Sequence, residues 1–171
     1  EYAGYTENFK SNGGKAKIKG LELSYEQQLA FLPKPLNGLK LALNYTLLRT
    51  DGDYGDAGER RSTKEVQNFI PSTANARLSY RYKWLSVSVA ANYTDDSLMS
   101  YATDPAQLRF KKSRTWIDVN TSVKLSRHMD LFVLLGNVTN EPFIYYRGIA
   151  NRRQGTIYNG PTVSLGIGGR F

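Results

Sequence analysis

The residues with the most evident chemistry are cations. Arg60, Arg61 and Lys64 fall in one polar stretch, Lys111, Lys112 and Arg114 in or beside a second, and Arg147, Arg152 and Arg153 in a third together with Tyr145, Tyr146 and Tyr158. Guanidinium and ammonium groups gathered in this way suit phosphate or carboxylate partners. The acidic run Asp51-Gly-Asp53-Tyr-Gly-Asp56, followed by Glu59, is rich in oxygen and could hold Ca²⁺. It departs from the EF-hand pattern at the fifth position, Gly55, and at the twelfth, Ser62, so a flexible acidic turn is the favoured reading and no metal is expected. His128 is the only histidine, lies in an expected tight turn, and has no Ser or Cys nucleophile motif near it. No catalytic residue and no cofactor are therefore expected.

The elements that must carry these side chains show period two. Ile117, Val119, Val123 and Leu125 alternate with Asp118, Asn120, Ser122 and Lys124, and Leu85, Val87, Val89, Ala91 and Tyr93 alternate with Ser86, Ser88, Asn92 and Thr94. Such alternation is that of strands with one dry face. Strands are expected at 1–9, 15–30, 38–50, 72–83, 85–96, 113–125, 130–146 and 157–171, making about eight in all, each boundary uncertain by about 2 to 4 residues. The face of 130–146 cannot be assigned from pattern, because Leu131 to Leu135 is apolar at both parities. Lys15, Lys17 and Lys19 share the parity of Leu21, Leu23 and Tyr25, which calls for either a bulge at Gly20 or an exit from the apolar zone. Connections alternate between short ones and long polar ones at 51–67, 97–112 and 147–156, so the three basic clusters are expected at one end of an antiparallel sheet.

Composition narrows what that sheet is. The chain has 171 residues, a net charge of +8, no Cys, and a mean hydropathy of -0.48. A disulfide scaffold, thiolate chemistry and a transmembrane helix of roughly 18 to 20 apolar residues are all excluded. Alternation alone leaves open whether the dry face lines a soluble barrel or meets lipid. The one-sided long loops and the placing of Tyr25, Phe31, Tyr45, Tyr80, Tyr82, Trp84 and Tyr93 towards strand ends favour lipid, since outer-membrane barrels carry aromatic girdles at both interfaces. Val87, Val89, Val119, Val123, Leu165 and Ile167 are expected on the lipid face, with Arg77, Asn92, Asp118, Asn120 and Lys124 towards a lumen. Dispersed loop charges on such a wall do not suit nucleic acid.

Several motifs carry a resemblance. Gly20-Leu-Glu-Leu-Ser24, the two Asn-Tyr-Thr strand ends at 44–46 and 92–94, Ile70-Pro-Ser-Thr-Ala-Asn75, Asn137-Val-Thr-Asn-Glu-Pro142 with Tyr145-Tyr-Arg-Gly148, and the terminal Phe171 resemble, in order, the closing strands of TonB-dependent outer-membrane receptors. Ser164, Gly166 and Phe171 resemble the C-terminal signal read by the outer-membrane insertion machinery, with Gly169 where a bulky residue is usual. The resemblance implies an all-β, antiparallel transmembrane barrel of about 22 strands. It also implies an N-terminal plug and active import of a ferric siderophore, cobalamin, haem or glycan powered through TonB.

Residues 1–171 are then expected to be a single segment of barrel wall without the plug, the C-terminal portion of a receptor that is cleaved, separately encoded or partial. The remaining barrel and plug, TonB through the missing N-terminal part, the insertion machinery, and outer-membrane lipid and lipopolysaccharide are the implied partners. An independent eight-stranded barrel with a structural or adhesion role is the alternative, and a soluble ligand-binding barrel a lesser one. For the basic loops, lipopolysaccharide phosphates are favoured over an anionic substrate entering the lumen.

Overall fold

A computed structural model describes residues 14–55 and 62–169. The strands are β1 (Lys15–Gln28), β2 (Leu39–Asp53), β3 (Ser62–Thr63), β4 (Ser72–Tyr82), β5 (Leu85–Thr94), β6 (Ser97–Ser100), β7 (Arg109–Lys111), β8 (Arg114–Lys124), β9 (Met129–Gly136), β10 (Phe143–Arg147), β11 (Arg153–Ile157) and β12 (Thr162–Gly169). The expected strand 1–9 lies outside the described residues, as do Asp56, Glu59, Arg60, Arg61 and Phe171.

Two sheets form. The larger is an antiparallel meander in the order β1-β2-β4-β5-β8-β9-β12, with β3 added beside β2. The smaller, in the order β11-β10-β7-β6, is made from the connections between β5 and β8 and between β9 and β12. Short turns at 83–84 and 125–128 and the 29–38 connection close one end of the large sheet, so the small sheet sits at the opposite, long-connection end.

Register settles the faces. One row across the sheet reads Gln27, Leu41, Leu78, Val89, Val119, Leu135 and Val163, while the adjacent row reads Gln28, Lys40, Ser79, Ser88, Asn120, Leu134 and Ser164. Because side chains alternate across a strand, each register row lies wholly on one side. Leu131, Val133 and Leu135 thus belong to the apolar face, leaving Phe132 and Leu134 on the polar one. Pairing of β1 with β2 runs without interruption from Lys15 opposite Asp53 to Gln28 opposite Lys40, so no bulge occurs at Gly20. The lysines keep the parity of the leucines and simply continue beyond the apolar zone.

Two expected strands prove to be divided. The span 130–146 breaks after Gly136, where Asn137 and Asn140 take left-handed backbone conformations at φ of 50° and 51°. Asn137 tolerates this because its side-chain oxygen accepts from the Glu141 amide at 2.9 Å and its amide nitrogen donates to the Glu141 carbonyl at 3.2 Å. Phe143–Arg147 then enters the small sheet. Likewise 157–171 is interrupted at Gly160, where φ is 73°, so that Thr162–Gly169 alone joins the wall. The stretches 97–112 and 147–156, expected as irregular loops, supply β6, β7 and β11.

The core is displaced from where a soluble sheet would keep it. Among the described residues the buried apolar side chains are Ala90, Leu98 and Tyr146, and the last two lie in the small sheet. On the apolar face of the wall, Val163, Leu165 and Ile167 are 67%, 73% and 71% exposed. Among the described residues no second layer covers them.

Candidate functional site

The small sheet gathers the second and third basic clusters. Arg114 opens β8 on the polar side, in the parity that also carries Trp116 and Asp118. Its guanidinium stacks over Trp116 at 4.4 Å and over Phe143 at 3.9 Å, with Lys111 above the same Phe143 ring at 4.5 Å. Arg114 is buried, and its Nε has no hydrogen-bond partner. Among the described residues the one ion pair within 4.0 Å joins Lys40 to Glu26, far from here at the short-turn end. Burial, and then the Arg114 charge, lowers the Lys111 pKa below its ordinary value. The aromatic faces stabilise the two cations, each such contact contributing about 2 kcal/mol when desolvated, yet among the described residues no carboxylate forms an ion pair with either. Such a pair can accept a planar anion.

A second group supports this one. Tyr146 stacks on Phe110 with centroids 5.1 Å apart and donates its hydroxyl hydrogen to the Asp96 carboxylate. Asp96 also accepts from the Ser113 amide at 2.6 Å, pinning the residue just before Arg114. Burial, followed by the bond to Asp96, holds the Tyr146 phenol well above its usual range. Glu65 is raised by burial and by the Asp96 and Asp95 charges. Below Arg114, Asp118 accepts from Asn92 Nδ2 and from the Asn137 amide, each at 2.9 Å.

The remaining candidates disperse. Arg147 donates to Gln107 Oε1 at 3.0 Å and Arg152 to the Ala106 carbonyl at 3.5 Å, so both clasp the 3-10 turn Pro105–Gln107. Tyr145 points away from Tyr146 and carries Arg109 over its ring at 5.1 Å. Lys112 donates its backbone amide to the Ile144 carbonyl. Arg153 and Tyr158 are exposed, apart from the Arg114 cluster. Asp51 and Asp53 share one face of β2, opposite Lys17 and Lys15, and Asp53 accepts from the Gly55 amide at 3.1 Å. His128 sits in the 125–128 turn, its amide bonded to Ser126 Oγ. Ser164 and Gly166 lie on the polar side of β12, opposite Leu134 and Phe132.

Trp116, Phe143 and Asp96 were not among the sequence candidates. The Arg114-x-Trp116 spacing, which puts both on one side of a strand, is the signal that could have flagged the first. Lower on the polar face a hollow of about 640 Å³ is lined by Lys40, Ser79, Ser88, Asn120, Phe132 and Leu134 among others.

Residues 2–140 match the sequence family described as TonB dependent receptor-like, beta-barrel. The fold superposes with a TM-score of 0.64 and 17% identity on the crystal structure of the siderophore receptor PiuA from Acinetobacter baumannii, covering 91% of this chain and 22% of that one. Comparison with curated protein sequences gives no match.

Proposed function

Since this chain belongs to the TonB-dependent receptor β-barrel family, we propose that it forms wall and extracellular rim of an outer-membrane receptor that imports a scarce nutrient. The observation that carries the reading is the uncovered apolar side of the wall. A single sheet with Val163, Leu165 and Ile167 bare is untenable in water but is what hydrocarbon requires. Tyr93 and Trp84 stand nine positions apart, which at about 3.4 Å per residue and a tilt near 40° separates them by roughly 23 Å along the membrane normal. That matches an apolar band of about 25 Å between two aromatic belts.

The polar side then faces a lumen, with the small sheet above it outside the cell. Among the described residues neither β1 nor β12 has a partner on its outer edge. Unpaired backbone groups in hydrocarbon cost several kcal/mol each, so both edges are proposed to join further strands of a larger barrel. A plug inside that barrel, coupled to TonB, finds an apolar seat on Phe132 and Leu134. Delivery by the outer-membrane insertion machinery, reading Ser164, Gly166 and Phe171, belongs to the same proposal. The function is transport and needs no catalytic group.

Arg114 and Lys111 are assigned the cargo. They face the lumen side, are aromatic-lined, and have no ion-pair partner among the described residues, which favours an anionic cargo over lipopolysaccharide at this position; a ferric siderophore bearing carboxylate or catecholate groups is the first to test. Arg147 and Arg152 brace the rim, while the exposed Arg153 and Tyr158 remain available to cargo or lipopolysaccharide. The test is equilibrium binding of anionic and neutral ferric siderophores to the full-length protein in detergent. R114Q/K111Q should abolish a preference for the anionic set; equal affinities in wild type and variant refute the assignment.

A further inference from the structure

The outward side of the wall carries a depression of about 390 Å³ on its apolar face. Its floor is small because three alanines meet there. Ala76 and Ala91 lie between Leu43 and Ile117 in one register row, and Ala74 lies between Tyr45 and Tyr93 in the next. The walls are large: Leu23, Tyr25, Leu43, Tyr45 and Tyr93. Leu23, Tyr25, Leu43 and Tyr45 are themselves exposed. The depression thus sits at the upper aromatic belt, where acyl chains of the outer leaflet begin.

Above it, on the same side, the register places cations. Leu21 pairs with Leu47 directly over the depression, and the next outward-facing pair is Lys19 opposite Arg49, both exposed. Like charges directly opposite one another in an antiparallel pair destabilise it unless an anion bridges them. Beyond them Lys17 stands opposite Asp51 and Lys15 opposite Asp53, so the face carries four cations and two carboxylates. Lys19 and Arg49 are each four positions from the Leu23–Tyr45 row, roughly 13 Å along the strands and about 10 Å along the membrane normal at the usual tilt. An apolar slot with a cationic pair at that height is complementary to a lipid whose phosphate stands just above its acyl chains.

We propose that this is a docking site for lipopolysaccharide of the outer leaflet, with an acyl chain in the alanine-floored slot and a lipid A phosphate between Lys19 and Arg49. It rests on the membrane reading given above, but it is separate from Arg114 and Lys111, which lie on the other side of the sheet. Lipid here is a fixed annulus molecule on the outside of the wall, not cargo.

The test uses the full-length protein extracted from outer membranes in mild detergent. Lipopolysaccharide and phospholipid per barrel are measured for wild type, for K19Q/R49Q and for A76F, which fills the slot. Barrel integrity is read independently from heat-modifiable electrophoretic mobility. Bound lipopolysaccharide should fall by roughly fivefold for each charge removed. It should fall in A76F as well, with the barrel intact in both variants. Unchanged lipopolysaccharide in either variant, or phospholipid as the retained lipid in wild type, overturns the site while leaving the receptor reading standing. A protein that never forms a heat-modifiable barrel overturns both.

Discussion

Arginine placed at Val89 provides the most discriminating perturbation of the wall. Strand β5 has ten residues, Leu85–Thr94, with Val89 in the middle. At about 3.4 Å per residue and a tilt near 40°, the strand rises roughly 26 Å, the height of the apolar band, so Val89 lies close to the bilayer midplane. Leu78 and Val119 flank it and share its face, leaving a guanidinium no polar neighbour across either ladder. The expected cost of V89R is therefore about 2–4 kcal/mol, or roughly 30- to 700-fold in the folding equilibrium. The control is S88R, one residue away and on the opposite face, where the loss is the Ser79 Oγ to Ser88 Oγ hydrogen bond of 3.1 Å, about 1 kcal/mol. L85R, near the short-turn interface, should cost about 0–1 kcal/mol. Reversible guanidinium unfolding of the full-length protein in phospholipid vesicles measures all three. Equal costs for V89R and S88R, or no fall in cost from V89R to L85R, would refute the assignment of faces.

The small sheet and the turns beside it offer further predictions. Y146F removes the donor to the half-buried Asp96 carboxylate and should cost about 1.5–3 kcal/mol, read as lost amide-exchange protection in β6 and β7. Because Glu65 has a raised folded pKa, its contribution is full below its ordinary value and is lost as pH rises through the elevated one. Protection of β6 should accordingly decline over that window in wild type and stay level in E65Q; a parallel decline in E65Q would show that another group titrates. N137A, which forces a side chain without hydrogen bonds to hold φ of 50°, should destabilise the β9–β10 turn by about 2–3 kcal/mol in thermal melts.

Strand identity was legible because apolar residues recur at alternate positions on one face of the wall, in rows such as Leu78, Val89 and Val119. Where the pattern carried apolar residues at both parities, it failed in a specific way. Leu131 to Leu135 hid that Phe132 and Leu134 turn towards the polar side, and nothing in local composition announces that the register with Asn120 and Ser122 decides it. The break at Asn137 was encoded in Asn-Val-Thr-Asn, a turn sequence read only as a family motif. The small sheet was missed because its strands are three to five residues long: β6, β7 and most of β11 fall in polar stretches that read as loops, and the aromatic β10 reads as a continuation of the 130–146 strand. Of the basic candidates, Arg114 and Lys111 converge only through Phe143, a residue some thirty positions away in the chain, and no spacing rule links them.

The same long-range pairing imposes an order of events on folding. Each strand of the wall pairs with its neighbour in the meander, so the wall can be built hairpin by hairpin with little loop-closure entropy at any step. The pairing of Tyr145 with Lys111 is different, since β8 and β9 lie between the two strands it joins. It can close only after that hairpin has entered the sheet. The small sheet is therefore expected to act as a latch that shuts last and releases first, so that a protease added during assembly should find the 95–113 and 137–161 segments open in the intermediates but closed in the finished wall.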